Sequence, residues 1–147
     1  MASLYTVILI VHLVGLSLGV GSATVKNILL LKCNSNYEFI TTYGQVVRTL
    51  TKTIIAGLIL LTVTGISWFF LGYTLHTYII IKMVLVLSIW VLGPIIDNIY
   101  EPRFFKAAPV EGASPTRNFI RAKNQYMTVD FLATAIFYVI IIMWVLR

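Results

Sequence analysis

Residues 53–81, TIIAGLILLTVTGISWFFLGYTLHTYIII, contain no Asp, Glu, Lys or Arg. The stretch is too long for a single typical transmembrane helix, which needs about 20 apolar residues. It is interrupted at residues 72–77, where Gly72 and several polar side chains favour a turn. The stretch therefore predicts two consecutive membrane-spanning helices joined by a short turn.

The rest of the 147-residue chain has the same character. Hydrophobic residues make up 59% of it and charged residues 11%, whereas about a quarter of a soluble domain is charged. This composition excludes a disordered chain, a coiled coil, a disulfide scaffold and an ordinary water-soluble enzyme. The single cysteine, Cys33, excludes an internal disulfide and a cysteine-based metal site. We therefore expect an integral membrane protein in contact with the lipid bilayer.

The apolar pattern predicts four spans, at about residues 4–31, 46–71, 78–99 and 124–146. Turn composition at residues 34–36 separates the first two spans. Glu101-Pro102 is expected to end the third, because proline has no backbone N–H and restricts the residue before it. Short connections make neighbouring helices antiparallel, so the fold class is an all-α, up-down-up-down four-helix bundle in a single domain.

The basic residues predict the orientation of this bundle. Most Lys and Arg side chains lie in or beside two predicted loops, about 32–45 and 101–123, whereas the turn at 72–77 carries none. The positive-inside rule places both basic loops in the cytoplasm, so both termini lie outside, in a membrane of the cell inner membrane type. The net charge of +6 is thus a property of these loops. The sequence has no basic patch with interleaved aromatic residues, so nucleic acid is not an expected partner.

His12 lies about two turns into the first predicted span, with Gly15 and Gly19 on the same helical face. A neutral imidazole ligates iron, and glycines beside it let a flat porphyrin approach the backbone. The same spacing also fits a small-xxx-small contact between helices, with His12 hydrogen-bonded to a neighbour. The spacing by itself leaves both interpretations open.

Lys82 lies about one turn into the third predicted span, in the same half of the bilayer as His12. Ionisable side chains are costly in a membrane and usually face the bundle interior. One interpretation is that Lys82 snorkels to the outer interface. The alternative is that it faces His12, where it binds a propionate or another anion, or acts as a second ligand when neutral.

Asp130 lies within the fourth predicted span, about two turns from its cytoplasmic end. Asp97 is at a similar depth, and three basic residues approach the same level, namely Lys26, Arg48 and Lys52. An unpaired carboxylate there would be expensive, so these residues predict a cluster of ion pairs. A proton relay is the functional alternative.

The order of these features is similar to that of a known family. The segments that carry the similarity are Val11-His12-Leu13-Val14-Gly15, the basic start of the second helix at Arg48-Thr49-Leu50, then Ile81-Lys82-Met83-Val84 and Asn124-Gln125-Tyr126. The chain resembles the compact four-helix membrane proteins grouped around HemJ-type protoporphyrinogen IX oxidase and CopD-like domains. The resemblance implies a haem b bound at His12 and a functional partnership of His12 with Lys82. The chain departs from the family pattern at Glu101-Pro102-Arg103, where the family has paired arginines.

Three functions remain in view. The first is a haem b redox protein, an oxidoreductase similar to protoporphyrinogen oxidase. In it His12 is the axial iron ligand and Gly15 and Gly19 give room for the macrocycle. Lys82 is the catalytic candidate and lies near a propionate or near the substrate, a porphyrin or another small hydrophobic molecule. The second is a small transporter or channel that uses Lys82 and Asp130. The third is a non-enzymatic assembly or binding subunit whose glycines contact other helices, as in a homo-oligomer.

Overall fold

The computed structural model describes residues 3–72, 76–109 and 114–146, without the side chains of residues 34 and 35. Every regular element within these residues is helical. The elements are α1 (Leu4–Ser35), α2 (Phe39–Phe70), α3 (Thr77–Ile95), a π-helical turn (Ile96–Tyr100), α4 (Glu101–Ala107) and α5 (Arg117–Val145).

Among the described residues, four helical segments are long and apolar enough to cross a membrane, which confirms the expected all-α chain with four apolar spans. They are Leu4–Cys33, Phe39–Phe70, Thr77–Ala107 and Arg117–Val145. At 1.5 Å per residue each is about 45 Å long, whereas the hydrocarbon core of a bilayer is about 30 Å thick. Each helix can therefore extend beyond the apolar layer at one or both ends.

The bundle turns apolar side chains outward. Ile10, Val63, Leu87 and Ile142 are each more than half exposed, whereas Lys26 and other polar side chains are buried. Large apolar patches on a protein surface indicate contact with another apolar phase, and here they lie on all four membrane-spanning segments. This distribution suits a protein that contacts the lipid bilayer.

α1 and α2 approach each other closely at their glycines. A Cβ atom placed on Gly57 would lie 2.7 Å from the carbonyl oxygen of Gly15 and 2.8 Å from the Cα of Gly19. A Cβ on Gly15 would lie 2.9 Å from Cβ of Leu60. The two backbones touch here, as in other membrane helix pairs with small residues at the contact. The other packed face of α1 lies against α5, which also packs on α3.

The connection between α1 and α2 is shorter than the sequence pattern predicts. α1 continues to Ser35 and α2 already begins at Phe39, so most of the predicted loop 32–45 is helical. In the remaining turn, Asn36 Oδ1 accepts a hydrogen bond from the backbone N–H of Glu38 at 3.0 Å. Hydropathy locates the apolar part of a helix, whereas the polar ends of these helices extend beyond it.

The prediction that Glu101-Pro102 ends the third helix is wrong. Pro94 already lies inside α3, and the helix passes through the π-helical turn Ile96–Tyr100 into α4. Pro102 has no backbone N–H to donate, but it directly follows the π-helical turn, where the regular α-helical hydrogen-bond ladder is already interrupted. The prolines therefore modify this span without ending it.

α5 begins at Arg117, well before the expected residue 124. Thr116 is its N-cap, and the Thr116 hydroxyl accepts a hydrogen bond from the N–H of Phe119 at 3.2 Å. The predicted loop 101–123 is thus helical at both ends. Its residues 110–113, like residues 73–75 of the predicted turn at 72–77, lie outside the described residues.

We expect Gly57→Ala to destabilise the protein by about 1–3 kcal/mol, because the new methyl group meets backbone atoms of α1 that cannot move independently. The matched control is Gly65→Ala on the same helix, where a Cβ meets nothing within 4 Å. Unfolding in detergent micelles measures both variants. Equal stability of the two variants would contradict the close contact.

Candidate functional site

His12 on α1 is held by two residues of α2. Its Nδ1 atom lies 2.7 Å from Oγ1 of Thr64. The ring of Trp68 stacks on the imidazole with centroids 5.1 Å apart and an angle of 29° between the planes. Thr64 and Trp68 are four residues apart, so they share one face of α2. The helix contact at Gly57 brings this face against α1.

The hydrogen bonds of Thr64 assign the proton on His12. The Thr64 hydroxyl donates to the carbonyl oxygen of Leu60 at 2.6 Å, so its oxygen is left to accept from Nδ1–H of His12. In a neutral imidazole with the proton on Nδ1, Nε2 carries a free lone pair. The structure thus holds His12 in the tautomer in which Nε2 can bind a metal or accept a proton.

Lys82 lies near the beginning of α3, on a different helix from His12. The Lys82 ammonium is 5.3 Å from the centroid of the Tyr78 ring, one turn nearer the start of α3. The ammonium thus reaches back along α3 toward the start of the helix, as expected for a lysine that snorkels to the interface.

The glycine face of α1 is occupied by other helices. Gly15 packs against Leu60 and Gly57 of α2, and a Cβ on Gly19 would lie 3.7 Å from the Phe137 ring of α5. A macrocycle could not use this face beside Gly15 without displacing α2. In this structure the two glycines join helices, which is the other interpretation that their spacing allowed.

A charged cluster lies about 21 Å farther along α1, fourteen residues after His12. We define it as Lys26, Asp97, Glu101 and Asp130. The ammonium of Lys26 lies 3.2 Å from Asp130 Oδ1 and 3.6 Å from both Asp97 Oδ1 and Glu101 Oε2. These distances confirm the expected ion pairing of Lys26 with Asp97 and Asp130. The pairs are buried, since the Lys26 side chain is 4% exposed.

Two expected members of this cluster do not join it, and an unexpected one does. Arg48 and Lys52 are exposed on α2 and take part in no ion pair among the described residues. Glu101 was interpreted as the end of a helix. Its spacing of four from Asp97 could have revealed it, because residues four apart share a helical face if the helix continues.

Glu101 also ends a chain of buried hydroxyl groups. The Tyr126 hydroxyl donates to Glu101 Oε2 at 3.2 Å, which leaves its oxygen to accept from the Tyr43 hydroxyl at 2.7 Å. Both tyrosines are fully buried and pack with Phe104 and Phe119 in one aromatic core. This core connects α2 to the charged cluster through hydrogen bonds rather than through charge.

The π-helical turn carries Asp97 and immediately precedes Glu101. Such turns interrupt the regular α-helical ladder and are frequent at functional sites. Here Pro94 has no N–H for the preceding turn, while the side-chain amide of Asn98 donates to the Pro94 carbonyl oxygen at 2.8 Å. The turn thus sets the directions from which two carboxylates of the same helix reach Lys26.

Within the described part of the chain, no group of three or more His, Cys, Asp or Glu side chains is arranged to hold a metal ion. A prosthetic group whose metal takes a single protein ligand does not need such a group of side chains, and His12 is the candidate for that single ligand. No family model, curated protein or solved structure matches this chain. The two sites therefore rest on their own geometry.

We expect Lys26→Met to destabilise the protein by about 3–5 kcal/mol, because three carboxylates lose the buried cation that they share. Lys52→Met is the matched control, since Lys52 is exposed on α2, and it should change stability by less than about 0.5 kcal/mol. Unfolding in detergent micelles compares them. A Lys26→Met protein as stable as the control would show that the ion pairs contribute little.

Proposed function

We propose that the protein is a membrane-embedded redox protein that binds haem b, with His12 as an axial ligand of the iron. The observation that supports this most directly is the hydrogen bond from Nδ1–H of His12 to Thr64, which leaves Nε2 with a free lone pair. Metal-binding histidines are commonly oriented in this way by a partner on the other ring nitrogen. The resemblance to HemJ-type proteins supports the same assignment.

The neighbouring residues suit this role in part. Trp68 packs against the face of the imidazole, whereas a ligand bond from Nε2 lies in the plane of the ring, so the stacking leaves that direction clear. In this proposal the ammonium of Lys82 at the start of α3 supplies the positive charge for a propionate. Haem b would supply an iron centre that exchanges single electrons. Gly15 and Gly19 have no place in this proposal as a seat for the macrocycle, because α2 and α5 occupy their faces.

We expect the purified protein, supplied with haem in detergent, to show a Soret band that His12→Ala abolishes. His76→Ala is the matched control, because it removes the chain's other histidine and should leave the band unchanged. Absence of a Soret band in the parent protein, or a band that His12→Ala does not alter, would exclude the proposal.

Thr64→Val extends this test to the partner of His12. The change keeps the shape of the side chain but removes the oxygen that fixes the tautomer, so we expect haem affinity to fall by about 10–100-fold. A haem titration followed at the Soret band measures this fall. Unchanged affinity would show that Thr64 does not position the ligand.

We also propose that the four spans alternate in direction, with both termini outside the cytoplasm of a cell inner membrane. The basic side chains support this orientation, because Arg48, Lys52, Arg117 and Arg121 all lie toward the ends of α2 and α5 that meet at the charged cluster. His12 then lies in the non-cytoplasmic half of the bilayer and the charged cluster in the cytoplasmic half.

Reporter fusions at the two termini test this orientation. A reporter that is active outside the cytoplasm should work at both ends of the chain, and one that is active in the cytoplasm should work at neither. The same reporters inserted after Asn36 should give the opposite result. Termini on different sides would contradict an even number of spans.

A further inference from the structure

A groove of about 260 Å³ lies between α1 and α5 on the outer surface of the bundle. Most of its wall is apolar, and Ile28, Leu31, Phe131 and Tyr138 form part of it. These four side chains are between 38% and 59% exposed, so an occupant reaches them from the surrounding lipid. From residue 24 to residue 31 the groove follows α1 for about 10 Å. The groove is thus an open apolar surface that a hydrocarbon chain can cover.

The hydroxyl groups in the wall of the groove are bonded within the protein. Thr24 donates to the carbonyl oxygen of Val20 at 2.7 Å, so the Thr24 oxygen is left to accept from the Tyr138 hydroxyl at 2.8 Å. Thr134 donates to the carbonyl oxygen of Asp130 at 3.1 Å. The bond between Thr24 and Tyr138 also joins α1 to α5 and fixes the tyrosine ring beside the groove. An occupant therefore meets the groove mainly through apolar contacts.

Contacts between the two helices show which of their residues lie at the same level. Lys26 on α1 forms an ion pair with Asp130 on α5. The ring of Tyr37, which follows α1, packs on the ring of Phe119 with centroids 5.6 Å apart. Later residues of α1 therefore lie beside earlier residues of α5. The end of the groove at Leu31 thus faces the beginning of α5.

Two exposed basic side chains lie beyond this end of the groove. Lys32 directly follows Leu31, and it lies about 9 Å beyond Lys26 along α1. Arg121 lies about 14 Å before Asp130 along α5, in the same direction from the ion pair. The two basic residues therefore differ in level by only about 5 Å. Their long side chains can reach one group that lies between them.

The end of the bundle that carries Lys32 and Arg121 is strongly basic. Its other exposed basic side chains are Arg48, Lys52, Arg103, Lys106 and Arg117. Among the described residues, Glu38 is the one exposed acidic side chain, and no exposed basic side chain forms an ion pair. The ammonium of Lys32 lies 4.6 Å from the centroid of the Phe39 ring, a contact that does not neutralise its charge. This surface therefore favours a negatively charged partner.

We propose that the groove and the two basic side chains beyond it bind an anionic phospholipid of the adjacent membrane leaflet. One acyl chain lies in the groove against Ile28, Phe131 and Tyr138, and Lys32 and Arg121 bind the phosphate group. The headgroup layer of a bilayer lies just outside its hydrocarbon core, and arginine binds phosphate through two parallel hydrogen bonds. A phospholipid carries its chain and its phosphate in the same order as the groove and the basic side chains.

Other occupants match these features less well. A zwitterionic phospholipid brings its own positive charge, which leaves the basic surface uncompensated. A second copy of the chain, inserted in the same direction, would place its basic end beside this one, and like charges repel. A soluble anion would compensate the charge but would leave the apolar groove without contacts. An anionic phospholipid satisfies both the charge and the groove.

The test uses the full chain in a maltoside detergent, which carries no charge, and native mass spectrometry, which resolves each bound lipid. The two probes are phosphatidylglycerol and phosphatidylcholine with identical oleoyl chains, so they differ only in the headgroup. We expect the first phosphatidylglycerol to bind at least about tenfold more tightly, since each nearby Lys or Arg contributes about fivefold to the attraction of an anionic lipid. Equal affinity of the two lipids would overturn the proposal.

Variants of the basic side chains distinguish a defined site from the general attraction of a basic surface. Lys32→Gln and Arg121→Gln should each weaken phosphatidylglycerol binding about fivefold and leave phosphatidylcholine binding unchanged. Arg48→Gln is the matched control with unchanged binding, because it removes the same charge from α2, which contributes no residue to the groove wall. All three residues are exposed, so the variants should fold normally. Equal weakening by all three variants would overturn the site.

A variant of the groove tests the place of the acyl chain. Ala135 lies in the wall and is exposed, so Ala135→Phe fills the groove without changing the interior, and we expect it to weaken phosphatidylglycerol binding severalfold. Val139→Phe is the control with unchanged binding, because Val139 lies one turn farther along α5 and outside the wall. Unchanged binding in Ala135→Phe would overturn the proposal. So would a dimer of the parent chain that Ala135→Phe dissociates, since the groove would then hold a second copy.

Discussion

The ammonium of Lys26 is the group on which the arrangement of the bundle depends. A buried charge must be compensated, and the three carboxylates that compensate it come from the π-helical turn, from α4 and from α5. A single side chain of α1 therefore fixes two other spans at a common level. The remaining span, α2, is attached in two different ways, by backbone contact at Gly57 and by the hydrogen bond from Tyr43 to Tyr126. Lipid-exposed side chains cannot select such an arrangement, because they contact a uniform apolar phase.

The two ends of α1 use different means to bury polar groups. At His12 the polar atoms are neutral and pair with each other, so the site needs no counter-charge and leaves one nitrogen of the imidazole available. At Lys26 an ammonium group and three carboxyl groups form buried ion pairs that join three spans. The first site therefore leaves a lone pair for a ligand, whereas the second holds the bundle together. Between them the small residues Gly15 and Gly19 hold α1 against its neighbours.

The sequence was sufficient for the number of spans, because hydropathy depends on composition over about 20 residues and little on packing. It also located the pairing of Lys26 with Asp97 and Asp130, since few ionisable residues lie within the spans. It failed at Glu101, because a proline beside a charged residue favours a helix end unless the register of the whole helix is known. Thr64 could not be identified as the partner of His12 either, since that pairing depends on which faces of α1 and α2 meet. The contact at Gly57 determines which faces of the two helices meet.

A cavity of about 140 Å³ adjoins the charged cluster, and residues of all four spans line it. On the side of the third span its wall includes Gly93, which has no side chain, and Pro94. Filling that space with a larger side chain would have been sterically simple, because a Cβ on Gly93 meets nothing within 4 Å. The irregular part of the third span, which carries Asp97 and Glu101 toward Lys26, therefore borders the cavity.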